Sequence, residues 1–299
     1  MRLSGVALGT SWSALIAAPP VGCEAAIEAT LAAQAIALSQ WEPRSALSRF
    51  NRAPIGEWQA IDADLAAVID AGLAIGRASD GSLDIAMGEL TDLWGFGPTG
   101  PRDTVPDDTA IAAALAKSGS GAIQRDGNRA RRTADVALDF SGIGKGYVVD
   151  RVADALEALG TEDFLIEIGG EFVGRGIRPD AQPWWVELED PPGIDLAPFR
   201  IAAHGVAIAT SGDYRRFFRD GERRLGHTID PRTGRPVENG IVSVSVIAGD
   251  CMAADGWATA LTVLGLQRGM DISAREGIAS RIVTADGAEA LSPALEVML

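Results

Sequence analysis

Val136-Ala137-Leu138-Asp139-Phe140-Ser141-Gly142-Ile143-Gly144-Lys145-Gly146-Tyr147, running on through VVDRVADALEAL to Leu159, is the stretch on which the fold reading turns. Its apolar start predicts a strand over Val136 to Phe140, its glycines a tight turn, and its remainder a helix over Val148 to Leu159 that starts near Tyr147. Downstream the same alternation continues. Strands are predicted at Phe164 to Ile168, Trp184 to Leu188, Ile201 to Ile208 and Ile241 to Ile247, and helices at Ala253 to Leu264 and Leu266 to Glu276. Upstream, Ile27, Leu31, Ala35 and Leu38 recur at helical spacing within Glu24 to Gln40, and Leu65, Val68, Ile69 and Leu73 do so within Asp62 to Ser79. Asp107 and Asp108 can cap a third helix reaching about Lys117, and Trp94 to Pro106 is too rich in Gly and Pro for regular structure. Strands and helices interleave throughout, which predicts an α+β fold with a mixed sheet. No long linker, low-complexity tract or fixed-period repeat divides the 299 residues, so positions 1–299 read as one domain.

Lys and Arg total 26 against 41 Asp and Glu, a formal net charge of −15. A surface so acidic repels nucleic acid, and an anionic substrate needs a local positive site or a bound cation. Two cysteines, Cys23 and Cys251, cannot form a disulfide framework, and two histidines leave few soft ligands for zinc. Any metal is expected to be a hard cation held by oxygen, such as magnesium. No stretch approaches the roughly 20 apolar residues of a membrane helix. Arg2 followed by Leu3 to Pro20 loosely imitates a signal peptide, and Val21-Gly22-Cys23 a lipoprotein cleavage site. Pro20 stands where leucine is wanted, however, and a first β-strand fits these residues better, so the expected location is the cytoplasm, or the periplasm if a signal precedes this sequence.

Four clusters carry candidate chemistry. In Asp139 to Tyr147 the glycines allow close backbone approach to a ligand, a helix N-terminus favours phosphate, and Lys145 can meet a pyrophosphate as a point charge. The spacing is neither a Walker A loop nor a dinucleotide fingerprint, and it also suits a plain strand-to-helix turn with a solvated lysine. In Gly226 to Pro236, Asp230-Pro231 and Gly234 build a tight turn beside His227, whose ordinary pKa near 6.5 suits proton transfer; a hydrogen-bonding turn histidine is the alternative. In Cys251 to Ala260 a helix puts Asp255 and Thr259 on one face, a carboxylate and a hydroxyl able to share a magnesium ion. Asp255 can equally compensate the helix dipole in the first turn. In Gly81 to Pro98, Asp84 interrupts an apolar run, and Trp94 and Phe96 between glycines can either wall a flat ligand or pack in the core.

In order and combination these clusters resemble the ApbE family, the FAD:protein FMN transferases. The match begins at Leu8-Gly9-Thr10, continues through Trp41 and Leu47-Ser48-Arg49-Phe50-Asn51, and includes Ile168-Gly169-Gly170-Glu171 and Thr210-Ser211-Gly212-Asp213-Tyr214. The resemblance implies a two-lobed α+β fold with FAD between the lobes. It implies magnesium on the Asp255 carboxylate, the Thr259 hydroxyl and a backbone oxygen at Gly142, and FAD contacts at Trp41, Leu83, Asp84, Asp139, Lys145 and Ile229. His227 and Asp255 would be the catalytic residues. The implied reaction attaches FMN through a phosphoester to a Thr or Ser hydroxyl of a client protein and releases AMP. Hydrolysis of FAD to FMN and AMP in the same pocket, or flavin binding without catalysis, are the competing readings. Gly256 stands where the family usually has Ala after the metal carboxylate, and Gly144 replaces a frequent Ala.

Overall fold

The computed structural model describes residues 1–299 except Asp103, Arg215 and Glu222. Its largest sheet has eight strands: Arg2–Ala7, Thr10–Ile16, Phe164–Ile168, Glu171–Arg175, Val206–Gly212, Ile241–Ala248, Ala279–Thr284 and Glu289–Leu291. They lie side by side in the order in which the chain makes them, and each neighbouring pair is antiparallel. The expected mixed sheet is therefore corrected to an antiparallel meander. Interleaved helices would force parallel pairing only if they carried crossovers in one sense. Here the helical excursions return to the edge they left.

The longest excursion, between Ile16 and Phe164, holds α1 (Cys23–Leu38), α2 (Ala46–Arg52), α3 (Ala63–Ala78), α4 (Gly88–Leu93), α5 (Asp108–Leu115) and α6 (Gly144–Ala158). It also holds a small sheet of Gln59–Ala60, Ile123–Asp126 and Arg129–Arg132. A second excursion carries two hairpins, Phe217–Asp220 with Arg223–Gly226 and Ile229–Asp230 with Arg235–Pro236. A third carries α7 (Cys251–Leu264) and α8 (Leu266–Glu276). Helix starts are set by side-chain caps. Asp62 accepts the Leu65 N–H at 2.8 Å, Asp107 that of Ala110 at 2.8 Å, and Asp250 that of Ala253 at 2.8 Å, each cap contributing about 1 kcal/mol.

Two sequence readings are corrected by local geometry. Val136 to Phe140 lies outside the sheets, because other partners take its backbone groups. Asn51 donates to the Leu138 carbonyl and accepts its N–H, both at 2.8 Å, while the Asp139 N–H goes to Ile85 O at 2.8 Å and Ala137 O accepts from Gly88 at 2.9 Å. The segment over Ile201 to Ile208 is two strands, Arg200–Ala202 and Val206–Gly212, separated by a turn at Gly205 with φ of 72°. The first strand expected near the N-terminus is a hairpin, whose inner arm pairs with Phe164–Ile168.

α7 sits in the middle of the packing, with Ala254, Ala258, Ala260 and Leu261 fully buried. It is apolar nearly all round for that reason. The N-terminal half of α6 packs along the start of α7, where Asp150 accepts the N–H groups of Cys251 and Met252 at 2.8 Å each. Those are two of the donors a helix start leaves without partners. Close approach also needs Gly146, where a Cβ would lie 2.1 Å from the Cys251 carbonyl oxygen. At Gly256 a Cβ would lie 2.7 Å from Cδ1 of Ile75, so Ile75 fills the room that a Cβ would need. Cys23 and Cys251 are both free and buried. Among the described residues no helix is long and apolar enough to cross a membrane.

Candidate active site

The antiparallel contact of the glycine turn with α7 brings three oxygen donors together. Asp255 is 4% exposed and its Oδ2 accepts the Gly146 N–H at 2.9 Å. One turn on, the Thr259 hydroxyl lies 3.3 Å from the Ser211 hydroxyl. Gly142 presses against Thr259 so closely that a Cβ would lie 2.9 Å from its methyl and 3.1 Å from its hydroxyl oxygen. A carboxylate, a hydroxyl and a backbone carbonyl form a hard donor set suited to magnesium. Among the described residues no group of three His, Cys, Asp or Glu is placed to hold a metal. Asp255 is not a first-turn dipole group, since α7 begins at Cys251 and Asp250 caps it. Burial pushes the Asp255 carboxyl above its ordinary value, opposed by the Lys145 charge and the Gly146 N–H.

Lys145 lies within the first turn of α6, since the helix begins at Gly144 and not near Tyr147. Its ammonium is ion-paired to Glu171; the Lys145 side chain is 39% exposed and that of Glu171 2%. The lone point charge expected from sequence is thus one half of a pair. Burial pulls the Lys145 pKa down, and the carboxylates of Glu171 and Asp255 outweigh that to leave it raised. Asp139 is buried and accepts the Ser141 N–H at 2.7 Å and hydroxyl at 2.6 Å. Gln40 donates to that hydroxyl at 3.1 Å, which sets the exposed Trp41 beside the glycine turn.

At three further expected flavin contacts the side chains also have partners within the protein. Leu83 buries its side chain in the main core. Asp84 commits both carboxylate oxygens to loop backbone, at Ala86 N (2.8 Å) and Ser120 N (3.1 Å). Ile229 packs with Leu90, Trp94 and Phe96 in a separate apolar cluster. Trp94 and Phe96 are core residues there, Trp94 donating its indole N–H to Gly234 O at 2.8 Å.

His227 follows the Phe217 to Gly226 hairpin. Its Nδ1 lies 3.0 Å from the Arg216 carbonyl oxygen. A carbonyl only accepts, so Nδ1 carries the hydrogen and Nε2 of the neutral ring keeps its lone pair. Phe96 meets the ring edge-on, centroids 6.2 Å apart at 73°. Arg216 crosses Phe96 and donates to its carbonyl at 2.8 Å. Burial holds the imidazole below its ordinary 6.5; the Arg216 carbonyl opposes this, and the Arg216 and Lys145 charges add to it. Because the folded-state value is depressed, the unfolded chain protonates first as pH falls. His227 therefore contributes stability that is full above pH 6.5 and lost on acidification below it. The expected pH–rate profile keeps its acid limb below pH 6.5, and that limb disappears in His227→Ala; a limb above 6.5 surviving the substitution would assign the titration to another group.

Sequence reading singled out Gly142, Lys145, Asp255 and Thr259, which the fold brings together, and His227, on which the Lys145 charge acts. It missed Asp150, Arg216 and the roles of Ser211 and Glu171. The last two sit inside quoted motifs, whereas Asp150 and Arg216 are distinguished only by what they touch.

Comparison with known proteins agrees. The ApbE family profile matches residues 8–282. The FAD:protein FMN transferase of Salmonella typhimurium is 36% identical over 296 residues, covering 95% of this chain and 84% of that protein. The protein of the same name from Vibrio cholerae is 39% identical over 238 residues, 79% of this chain and 71% of its own length. The apo flavinyl transferase ApbE of Pseudomonas stutzeri superposes with a TM-score of 0.92 at 33% identity, covering 100% of this chain and 96% of that one. The flavin transferase ApbE of Vibrio cholerae gives 0.92 at 34% identity, covering 100% and 99%. With its profile match, its sequence relatives and its fold in agreement, this chain belongs to the ApbE family.

Proposed function

We propose that this protein transfers the FMN half of FAD to a Thr or Ser hydroxyl of a client protein. The observation that carries the reading is His227, held by the Arg216 carbonyl with Nε2 free and within electrostatic reach of Lys145, which stands beside the oxygen cluster of Gly142, Asp255 and Thr259. The names of the relatives support the same chemistry. The acceptor oxygen forms a bond to the phosphorus of the FMN half, the P–O bond to AMP breaks, AMP departs with the bridging oxygen, and the hydroxyl proton passes to Nε2 of His227. The Asp255 carboxylate, the Thr259 hydroxyl and the Gly142 carbonyl would hold Mg²⁺, which neutralises pyrophosphate charge that a −15 protein otherwise repels. Lys145, paired with Glu171, offers its remaining N–H donors to the same phosphates. The decisive experiment incubates the protein with FAD, Mg²⁺ and a candidate acceptor, then weighs the acceptor. It should gain the mass of an FMN phosphoester and lose that gain when its hydroxyl residue becomes Ala. AMP release with no acceptor ever labelled would point to hydrolysis.

Lys145→Ala should weaken FAD binding more than riboflavin binding, by on the order of 1.5–3 kcal/mol for one charge-assisted contact. Because the substitution also removes the ion pair of a buried Glu171, the comparison is repeated in a Glu171→Gln background. Equal weakening of FAD, FMN and riboflavin by calorimetry would give Lys145 a structural role instead.

A further inference from the structure

A second feature lies beside His227 and takes no part in the chemistry above. The loop at Trp94 and Gly95 and the strand Phe217–Asp220 enclose an open cavity of about 320 Å³, lined by Trp94, Gly95, Arg102, Phe217, Phe218 and Arg219. It adjoins the catalytic region through two links. Phe96, on the same loop, touches the His227 ring, and the strand runs directly out of Arg216, whose carbonyl orients that ring.

Two properties of this bay point to its occupant. The first is charge. On a protein of net charge −15, Arg102 and Arg219 are exposed, and among the described residues neither has a carboxylate partner. Their neighbours Arg223 and Arg224 do, pairing with Glu238 and Asp213. Arg219 and Arg224 flank the Phe217 ring at 5.2 and 5.4 Å, so the apolar floor and the cations form one surface. The second is backbone. The His227 N–H to Arg216 O bond of 3.2 Å fixes which pairs of this hairpin are hydrogen-bonded. By strand alternation, Phe217 and Arg219 then turn their N–H and C=O groups away from the partner strand. Among the described residues nothing else takes them. A free strand edge with alternating side-chain pockets recognises an extended peptide by strand addition.

We infer that this bay is the docking site for the acceptor segment of the client, bound as an extended strand with acidic residues beside the Thr or Ser that enters the His227 site. The inference rests on the transferase reading, and its test measures binding without turnover. The full chain, loaded with FAD and kept free of Mg²⁺, is titrated with fluorescein-labelled 15-residue peptides, each with one central Thr. Aspartate, glutamine or lysine occupies the flanking positions. The aspartate peptide should bind at least tenfold tighter than the glutamine one. That preference should shrink with added salt. The double variant Arg102→Glu/Arg219→Glu should lose it and favour the lysine peptide, while FAD affinity and melting temperature stay at parental values. No preference for the acidic peptide, or a preference the double variant keeps, overturns the docking site. A loss of FAD affinity in the double variant also overturns it, because the bay would then belong to the nucleotide. Failure of the transferase reading would show separately, as AMP release with no acceptor labelled.

Discussion

Asp255→Asn and Asp255→Ala should both abolish Mg²⁺-dependent release of AMP from FAD, with a loss on the order of 10³-fold or more. The size follows from what a bound divalent cation contributes to phosphoryl transfer, several kcal/mol, and from about 1.4 kcal/mol per factor of ten in rate. The two substitutions differ in what they do to the fold. Asp255 accepts the Gly146 N–H at 2.9 Å, so alanine leaves a buried backbone donor without its acceptor. Asparagine keeps an acceptor there and removes only the charge. Burial already holds the Asp255 carboxyl above its ordinary pKa, so the fold bears a cost for ionising it. Without Mg²⁺ the asparagine variant should therefore melt at or above the parent temperature. Added Mg²⁺ should raise the melting temperature of the parent by mass action and leave the variant unmoved. Wild-type turnover of Asp255→Asn at limiting Mg²⁺ would remove Asp255 from the metal site. A large drop in its melting temperature would make it a structural residue joining α6 to α7.

How much of this was legible in the sequence depends on the range over which each signal acts. Helix limits came through where caps such as Asp62 and Asp107 or glycines such as Gly265 and Gly277 set them within a few residues, and not at the uncapped start of α6 or in the short α2 and α4. The pairing of Asp255 with Thr259 was legible for the same reason, since helical spacing fixes it. Strand direction was not, because an apolar strand such as Phe164–Ile168 looks the same whether its neighbour runs parallel or antiparallel. Val136 to Phe140 has the composition of a strand, and only the distant Asn51 and Ile85 decide that its backbone bonds elsewhere. The partner of Lys145 was hidden likewise. Glu171 stands 26 positions away, and only the packing of α6 on the strand Glu171–Arg175 brings the two together. The long-range partner of Asp84 was hidden too, since Ser120, which donates to one of its oxygens, stands 36 positions on. Local chemistry is written locally, and the electrostatic environment of each group is not.

His227→Ala should depress FMN transfer to an acceptor by roughly 10²–10⁴-fold, the range of a positioned general base. Burial and the charges of Arg216 and Lys145 hold the ring neutral at pH 7, and the Arg216 carbonyl leaves Nε2 as the free nitrogen. A base prepared in this way would act on the acceptor hydroxyl, so FAD affinity should change little. The loss should appear in the rate at saturating FAD and acceptor, not in the concentrations needed to saturate. His227→Gln sharpens the test, because an amide can preserve a hydrogen bond to the Arg216 carbonyl but cannot take a proton. If glutamine restores transfer, the ring serves only to position the 94–96 loop against the hairpin, and proton removal belongs to another group. If glutamine is as slow as alanine, the contribution lies in the imidazole lone pair. Imidazole added in solution should then recover part of the alanine variant's rate, with a dependence on pH that follows the free base, whereas the glutamine variant, whose side chain fills the space, should recover less. Equal recovery in both variants would place the rescuing base outside the His227 pocket and end the assignment.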